Sequence, residues 1–119
     1  MTTEYCNNYY SNSLNDYRTY PRLEGEQRVD VAIIGGGFTG VAMAVELAEK
    51  GKKVAIVEEN RIGWGATGRN GGQVTGSLSG DKAILKQLKP KMGEKAAEEF
   101  LWFLRWRGHE IIKSRVEKY

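Results

Sequence analysis

The chain has 119 residues, a mass of 13.3 kDa and a formal net charge of +3, which is enough for one modest domain. Its 40% hydrophobic and 28% charged residues exclude a disordered or collagen-like chain. The single cysteine and single histidine exclude a disulfide scaffold and a zinc module, so no metal is expected. No apolar run approaches the roughly 18 residues that span a bilayer, and no signal peptide is evident. We therefore expect a cytoplasmic protein with no membrane partner.

The basic excess lies in residues 81–119, which carry 10 basic and 6 acidic side chains, against 8 and 9 in residues 1–80. Basic side chains interleaved with acidic ones are typical of a solvated helix face, so no nucleic-acid partner is expected. Glycine is distributed far less evenly, because 12 of the 15 glycines fall between positions 35 and 80. The candidate site is therefore sought there.

Residues 1–28 are rich in Asn, Tyr, Ser and Arg and show no sustained apolar period. We interpret them as a lead-in segment, followed by a partial domain over residues 29–119. The five tyrosines of the lead-in favour docking on the rest of the protein, with a disordered terminus as the alternative.

A short β-branched run at residues 29–34 predicts a buried strand, residues 39–50 predict an amphipathic helix, and Val54–Val57 predicts a second strand. Gly51 follows the helix where a left-handed cap favours glycine. Strand, helix and strand within about 30 residues predict adjacent parallel strands joined by a right-handed crossover. The predicted fold class is α/β, the N-terminal part of a Rossmann-like domain.

The first strand is followed directly by a G-x-G-x-x-G motif, formed by Gly35, Gly37 and Gly40. The first glycine permits a tight turn, the second lets the backbone approach a pyrophosphate, and the third allows the helix to pack closely on the strand. The phosphates would then meet the free N–H groups of a helix N-terminus. The cofactor-binding candidates of this segment are Gly35, Gly36, Gly37, Phe38, Thr39 and Gly40.

Two acidic residues, Glu58 and Glu59, follow the second strand. Glu58 comes 18 residues after Gly40, where a carboxylate can accept hydrogen bonds from both hydroxyls of an adenosine ribose. Its charge disfavours the 2′-phosphate of NADP. The alternative is a glycine-rich turn beside a surface glutamate. The fingerprint alone predicts an adenine dinucleotide and leaves both FAD and NAD open.

Residues 59–80 contain seven glycines in 22 positions and predict a long loop. Such loops are uncommon in compact domains, so we favour a loop ordered by a ligand over a disordered excursion. An NAD-binding fold would normally leave the second strand through a crossover helix. A glycine-rich loop can instead run along an extended cofactor with its amides facing phosphates and ring edges.

Two further helices are predicted, from residue 81 to Pro90 and over residues 94–119. Trp102, Phe103 and Trp106 widen the apolar stripe of the second helix beyond what one sheet face requires. We expect a missing C-terminal domain or another subunit to cover residues 100–106. The alternative, an amphipathic helix that docks on a membrane or partner, is disfavoured by the glutamates that interrupt its basic face.

Three stretches carry a family resemblance: V-D-V-A-I-I-G-G-G-F-T-G, I-V-E, and R-I-G-W-G-A-T-G-R-N-G-G-Q at residues 61–73. They resemble the FAD-dependent amine oxidoreductases of the D-amino-acid oxidase superfamily, and within it the gamma-glutamylputrescine oxidoreductases. The likeness covers almost the whole chain and implies FAD as the cofactor. In its light, the glycine motif would cradle the FAD pyrophosphate and Glu58 would hold the ribose.

The resemblance also assigns roles in the glycine-rich loop. Arg61, and likewise Arg69, would either form structural ion pairs or face phosphate. The loop would lie close to the phosphates and the ribityl chain at Gly65, Ala66 and Thr67. The last group would lie near the flavin ring, namely Asn70, Gly71, Gly72 and Gln73.

The activity implied by the resemblance is oxidation of the C–N bond of a small-molecule amine, gamma-glutamylputrescine or a related amine or amino acid, to an imine and aldehyde. No paired acid and base identifies a catalytic residue, and His109 is interpreted as a surface histidine. Members of the family are much longer, so we expect an N-terminal fragment of a larger enzyme, inactive alone. The alternative is a noncatalytic FAD- or NAD-binding module or truncated product.

Overall fold

The computed structural model describes residues 4–76 and 79–119. The chain divides into two compact units, Met1–Gly71 and Gly72–Tyr119. The first unit contains helix α1, strands β1 and β2, helix α2 between them, and a short 3-10 helix; the second contains helices α3 and α4. Their bounds are α1 Tyr9–Asn12, β1 Val31–Ile34, α2 Phe38–Glu49, β2 Val54–Val57, the 3-10 helix Ala66–Gly68, α3 Asp81–Met92 and α4 Glu94–Lys118.

Strands β1 and β2 form a parallel two-stranded sheet with α2 packed on it. The register runs from Val31 opposite Val54 to Ile34 opposite Val57. This confirms the predicted order of strand, helix and parallel strand. The first strand begins two residues later than predicted. Asp30 pairs with Lys53, just before the second strand, partly through its side chain: its amide donates to Lys53 O at 2.8 Å and its carboxylate accepts from Lys53 N at 2.8 Å.

The predicted glycine cap of α2 is confirmed. Gly51 has φ of +74° and its amide donates to Ala48 O at 2.9 Å, which satisfies a carbonyl of the last turn. The core of this unit is small: within residues 4–71, Ile33 is the one hydrophobic side chain that is buried. Gly40 is buried on the facing turn of α2.

Helix α1 was not predicted, since residues 1–28 show no sustained apolar period. Its four residues begin after Asn8, whose side chain accepts from Ser11 N at 3.0 Å while its own amide donates to Ser11 Oγ at 3.0 Å. This reciprocal pair is a capping box, which needs no apolar period in the sequence.

In the second unit, α3 packs against α4, with Gly93 at φ +85° between them. Helix α3 continues through Pro90 to Met92, so the expected end at Pro90 was wrong. A proline this close to the C-terminus removes only one helical hydrogen bond. Lys89 also ties the two helices at this corner, because its ammonium lies 2.6 Å from Glu94 Oε1 and 3.0 Å from Glu98 Oε1.

The helix predicted over residues 94–119 is confirmed as α4. Ala97 and Leu101 are buried, while many of its apolar side chains are exposed. The exposed ones are Phe100, Trp102, Phe103, Leu104, Trp106, Ile111, Ile112 and Val116. Within the described ranges, no helix has both the length and the hydropathy needed to cross a membrane.

The segment before α3 lies on α4. The Gly76 carbonyl accepts from Arg105 Nε, and Arg105 Nη1 lies 3.6 Å from Asp81 Oδ2. A Cβ built on Gly76 would lie 2.7 Å from the Trp106 ring. Glycine is therefore required at this position by the indole above it.

Candidate functional site

The site begins at the turn from β1 into α2. The Gly35 amide donates to Val57 O at 2.8 Å, and its φ of +98° is a conformation that favours glycine. At Gly40, a Cβ would overlap the carbonyl oxygen of Gly35. The first glycine therefore makes the turn, and the third lets the helix approach it.

The carboxylate of Glu58 lies against this turn from the neighbouring strand end. Its Oε2 accepts from the Gly36 amide at 2.6 Å and its Oε1 accepts from the Asn60 amide at 2.9 Å. These bonds, the Gly36 amide foremost, lower the pKa of Glu58, so the side chain is ionised at neutral pH. Because each carboxylate oxygen offers about two acceptor positions, further hydroxyl donors can be accommodated. The neighbouring Glu59 is exposed.

The glycine-rich loop returns to the same turn. The Gly63 amide donates to Gly36 O at 2.9 Å, and a Cβ on Gly36 would overlap the Ile62 side chain. The Thr67 hydroxyl accepts from the Phe38 amide at 3.0 Å, and a Cβ on Gly37 would lie 3.1 Å from it. The structure thus brings Gly36, Phe38, Glu58 and Thr67 together.

The end of the loop is organised by Asn70, whose side-chain Nδ2 donates to Ala66 O at 3.0 Å and to Thr67 O at 2.8 Å. Gly65 and Ala66 are exposed on this side of the loop, and so is Gly71. The predicted residues Gly72 and Gln73 belong to the second unit and are exposed there.

The two loop arginines contact protein groups. Arg61 pairs with Glu4 at 3.3 Å, and its guanidinium carbon lies 5.4 Å from the centroid of the Tyr5 ring. Arg69 stacks 4.2 Å from the Trp64 ring and donates from Nε to Trp64 O at 3.0 Å. Both therefore make structural contacts, and a phosphate role for either arginine stays a prediction.

Sequence reasoning missed the residues of the N-terminal segment that touch this loop. We call residues 4–14 the N-terminal strap. A pocket of about 270 Å³ lies between the strap and the loop, and its lining is mostly apolar. The signal for docking was the density of tyrosines in residues 1–28, but the sequence did not indicate where they would dock.

Residues 30–118 match the model of a protein family described as DAO, FAD dependent oxidoreductase. The chain belongs to this family of FAD-dependent oxidoreductases. The expected superfamily is confirmed, and FAD is the cofactor of the family.

Two relatives align over 98% of this chain. It is 38% identical to gamma-glutamylputrescine oxidoreductase of Escherichia coli (strain K12) and 42% identical to a Haemophilus influenzae protein named "Probable oxidoreductase OrdL". It is also 42% identical over 64 residues to the aerobic glycerol-3-phosphate dehydrogenase of Staphylococcus saprophyticus, which is 54% of this chain and 11% of that enzyme. The chain spans about a quarter (26%) of the length of each of the first two relatives. No solved structure matches the chain.

The turn between β1 and α2 fits an adenine dinucleotide such as FAD. The first hydrogen bond of α2 runs from Val41 N to Gly37 O, so the helix provides no carbonyl for the amides before Val41. One of these amides, that of Phe38, donates to the Thr67 hydroxyl. This oxygen lies at the helix N-terminus, where an anionic oxygen would also be attracted. A Cβ at Gly36, Gly37 or Gly40 would crowd the cradle.

No catalytic residue is identified. His109 is half-buried on α4, with Nδ1 3.0 Å from Arg105 O and its ring 5.1 Å from the Trp106 ring. These are structural contacts. Over residues 4–76 and 79–119, no group of three His, Cys, Asp or Glu side chains could hold a metal ion.

Proposed function

We propose that this chain holds the ADP half of FAD in an amine oxidoreductase. The observation that carries the proposal is the convergence of the first glycine turn, the Glu58 carboxylate and the Thr67 hydroxyl. Two amides of the turn, Gly36 and Phe38, each donate to one of these oxygen groups. Backbone donors, a helix N-terminus and an ionised carboxylate are the groups that bind pyrophosphate and ribose.

The ribose would be held by Glu58. Its lowered pKa keeps the side chain ionised, and the carboxylate has acceptor positions beyond those used by Gly36 and Asn60. It would accept hydrogen bonds from the ribose hydroxyls and would repel a 2′-phosphate. We therefore propose FAD in preference to NADP.

The proposed reaction of the whole protein is oxidation of the C–N bond of an amine of the gamma-glutamylputrescine type. The supporting observation is the name of the Escherichia coli relative, which is 38% identical over 117 residues. Bound FAD supplies the acceptor for the hydride that leaves the amine carbon. The resulting imine is hydrolysed by water to an aldehyde and an amine or ammonia. The residues of this chain bind and orient the cofactor, and we place the catalytic and substrate-binding residues elsewhere in the protein.

We also propose that the exposed apolar side chains of α4 form an interface with a further domain or another subunit. Trp102 and Phe103 are 57% and 52% exposed and lie among other exposed apolar side chains of α4, and exposed apolar patches mark interaction surfaces. Relatives about four times as long as this chain have the additional polypeptide that such an interface would require.

The test of the function uses the protein in its full natural length. The purified protein is examined for FAD and then supplied with gamma-glutamylputrescine, putrescine, sarcosine and a D-amino acid, while aldehyde and peroxide are measured. Because electron acceptors other than oxygen exist, an artificial dye acceptor is included. We expect bound FAD and oxidation of gamma-glutamylputrescine. Bound FAD without oxidation of any amine would favour the noncatalytic module, and bound NAD would contradict the FAD assignment.

The cradle is tested by Gly37→Val, whose side chain would enter the space beside the Thr67 hydroxyl. The matched control is Gly108→Ala, because Gly108 lies in α4 and a Cβ there has no neighbour within 4 Å. We expect loss of FAD binding in the first variant only. Unchanged FAD affinity in Gly37→Val would refute the proposed phosphate cradle.

A further inference from the structure

Among the described residues, five hydrogen bonds join the N-terminal strap to the glycine-rich loop across 57 to 60 residues of sequence, and one of them is the Arg61–Glu4 pair. Tyr5 Oη donates to Ile62 O at 2.9 Å, and Trp64 Nε1 donates to Glu4 O at 2.9 Å. The other two bonds are made by α1 and its cap, and they reach the segment around Thr67.

The bonds made by Asn8 and Tyr10 lie beside the site. Asn8 Nδ2 donates to Gly68 O at 2.7 Å, immediately after Thr67. Tyr10 Oη donates to Asn70 Oδ1 at 3.1 Å. The same Asn70 side chain donates to Thr67 O, so Tyr10 fixes the orientation of an amide that itself holds Thr67.

A glycine-rich loop loses much conformational entropy when it is ordered, because glycine has the widest backbone freedom. Gly63, Gly65 and Gly68 surround Thr67 and contribute no side chains to hold it in place. External hydrogen bonds therefore add to the bonds that the loop makes within itself, and Asn8, the cap of α1, and Tyr10 in α1 provide two of them. Helix α1 is in turn fixed by the reciprocal bonds between Asn8 and Ser11.

We propose that the N-terminal strap is a positioning element for FAD. By holding Gly68 and Asn70, it keeps the Thr67 hydroxyl against the Phe38 amide before the cofactor binds, so that less ordering cost falls on binding. This inference rests on the proposed function, because it assigns the loop to FAD. Asn8 and Tyr10 act through the loop and are not themselves placed on the cofactor.

Two conservative variants test the proposal in the full-length protein. Tyr10→Phe removes only the hydroxyl that orients Asn70. Asn8→Asp keeps the side-chain oxygen that caps α1 but replaces the donor to Gly68 O, which also donates to Cys6 Sγ, with an acceptor oxygen. The matched control is Tyr9→Phe, since Tyr9 is the adjacent tyrosine of α1 and is 79% exposed.

Two measurements are made on each variant. Hydrogen exchange of the FAD-free protein reports the order of the loop through the amides of Gly68 and Arg69, which donate to Gly65 O and Ala66 O. Titration with FAD, followed by flavin fluorescence, gives Kd. Since one hydrogen bond contributes about 0.5–1.5 kcal/mol, we expect about 2- to 12-fold faster exchange and about 2- to 12-fold higher Kd for Tyr10→Phe and Asn8→Asp.

The control Tyr9→Phe should leave both quantities unchanged, and an equal effect in it would overturn the proposal. Unchanged exchange and Kd in both strap variants, with FAD bound by the natural protein, would overturn the role of the strap while leaving the proposed function intact. Failure of the natural protein to bind FAD would overturn the proposed function and, with it, the role of the strap toward FAD.

Discussion

The hydroxyl of Thr67 and the amide of Phe38 lie 3.0 Å apart, although 29 residues separate them in the sequence. The contact joins the start of α2 to the 3-10 helix of the loop. It places a small hydroxyl side chain beside the glycine turn, where a larger one would fill the cradle. The glycine turn therefore limits the size of the side chain at position 67, and the Thr67 side chain limits the size of the residue at position 37.

The first prediction concerns this contact. Thr67→Ala removes the acceptor from the Phe38 amide, so we expect FAD affinity to fall by about 2- to 12-fold, as for the loss of one hydrogen bond. Thr67→Ser retains the hydroxyl and should bind FAD as the natural protein does. Isothermal titration of both variants measures the difference. Equal affinities for the alanine and serine variants would show that the hydroxyl does not contribute to FAD binding.

The second prediction concerns Glu58 and pH. Its pKa is lowered in the folded protein from the ordinary 4.5, first by the Gly36 amide and then by the Asn60 amide. Its contribution to stability is therefore fully present above pH 4.5 and is lost as pH falls through the folded pKa. Urea unfolding as a function of pH should show this loss in the natural protein, and Glu58→Gln should flatten it. An unaltered pH dependence in the glutamine variant would contradict the prediction.

The third prediction concerns the close approach of α2 to the glycine turn at Gly40. In Gly40→Ala, the new Cβ would overlap the Gly35 carbonyl oxygen. Because this oxygen belongs to the main chain, the overlap can be relieved only if α2 moves away from the turn. We expect a loss of about 1–3 kcal/mol in the free energy of unfolding. Gly108→Ala, made in an unobstructed position of α4, should instead gain about 1 kcal/mol from helix propensity. Chemical denaturation compares the two, and equal stabilities would refute the close approach.

The fourth prediction concerns the second unit. Gly76→Ala would place a Cβ 2.7 Å from the Trp106 ring and should destabilise the protein by about 1–3 kcal/mol. The smaller ring in Trp106→Phe should relieve this clash. A double-mutant cycle of unfolding free energies should therefore show a coupling above about 0.5 kcal/mol. Additive effects would mean that the two residues do not meet.

The strand, helix and parallel strand were predictable because their signals are local. The β-branched runs, the helical period of α2 and the cap at Gly51 each lie within a few residues of what they determine. Helix α1 escaped prediction because four residues held by a capping box have no hydrophobic period. The end of α3 was misplaced at Pro90, because helix packing and the Lys89 ion pairs outweigh one missing hydrogen bond.

The candidate site likewise contains residues that the sequence predicted and contacts that it did not. Gly36, Phe38 and Glu58 were predicted from spacing, and Thr67 from a resemblance, and the structure brings all four together. The contacts of the strap were not predictable, because hydrogen bonds between residues about 60 positions apart have no periodic signal. The sequence indicated only that the tyrosines needed a surface.

The register of the sheet has a consequence for how such proteins can vary. Gly36 lies two residues after Ile34 and Glu58 lies one residue after Val57, and the two meet because Ile34 and Val57 lie opposite one another. The helix between the strands does not enter this relationship, so homologues can lengthen or shorten α2 and keep the carboxylate in reach of the turn. A slip of a single residue between β1 and β2 would instead reverse the face of every strand side chain and separate the pair. Length variation should therefore be found in the crossover and excluded from the strands.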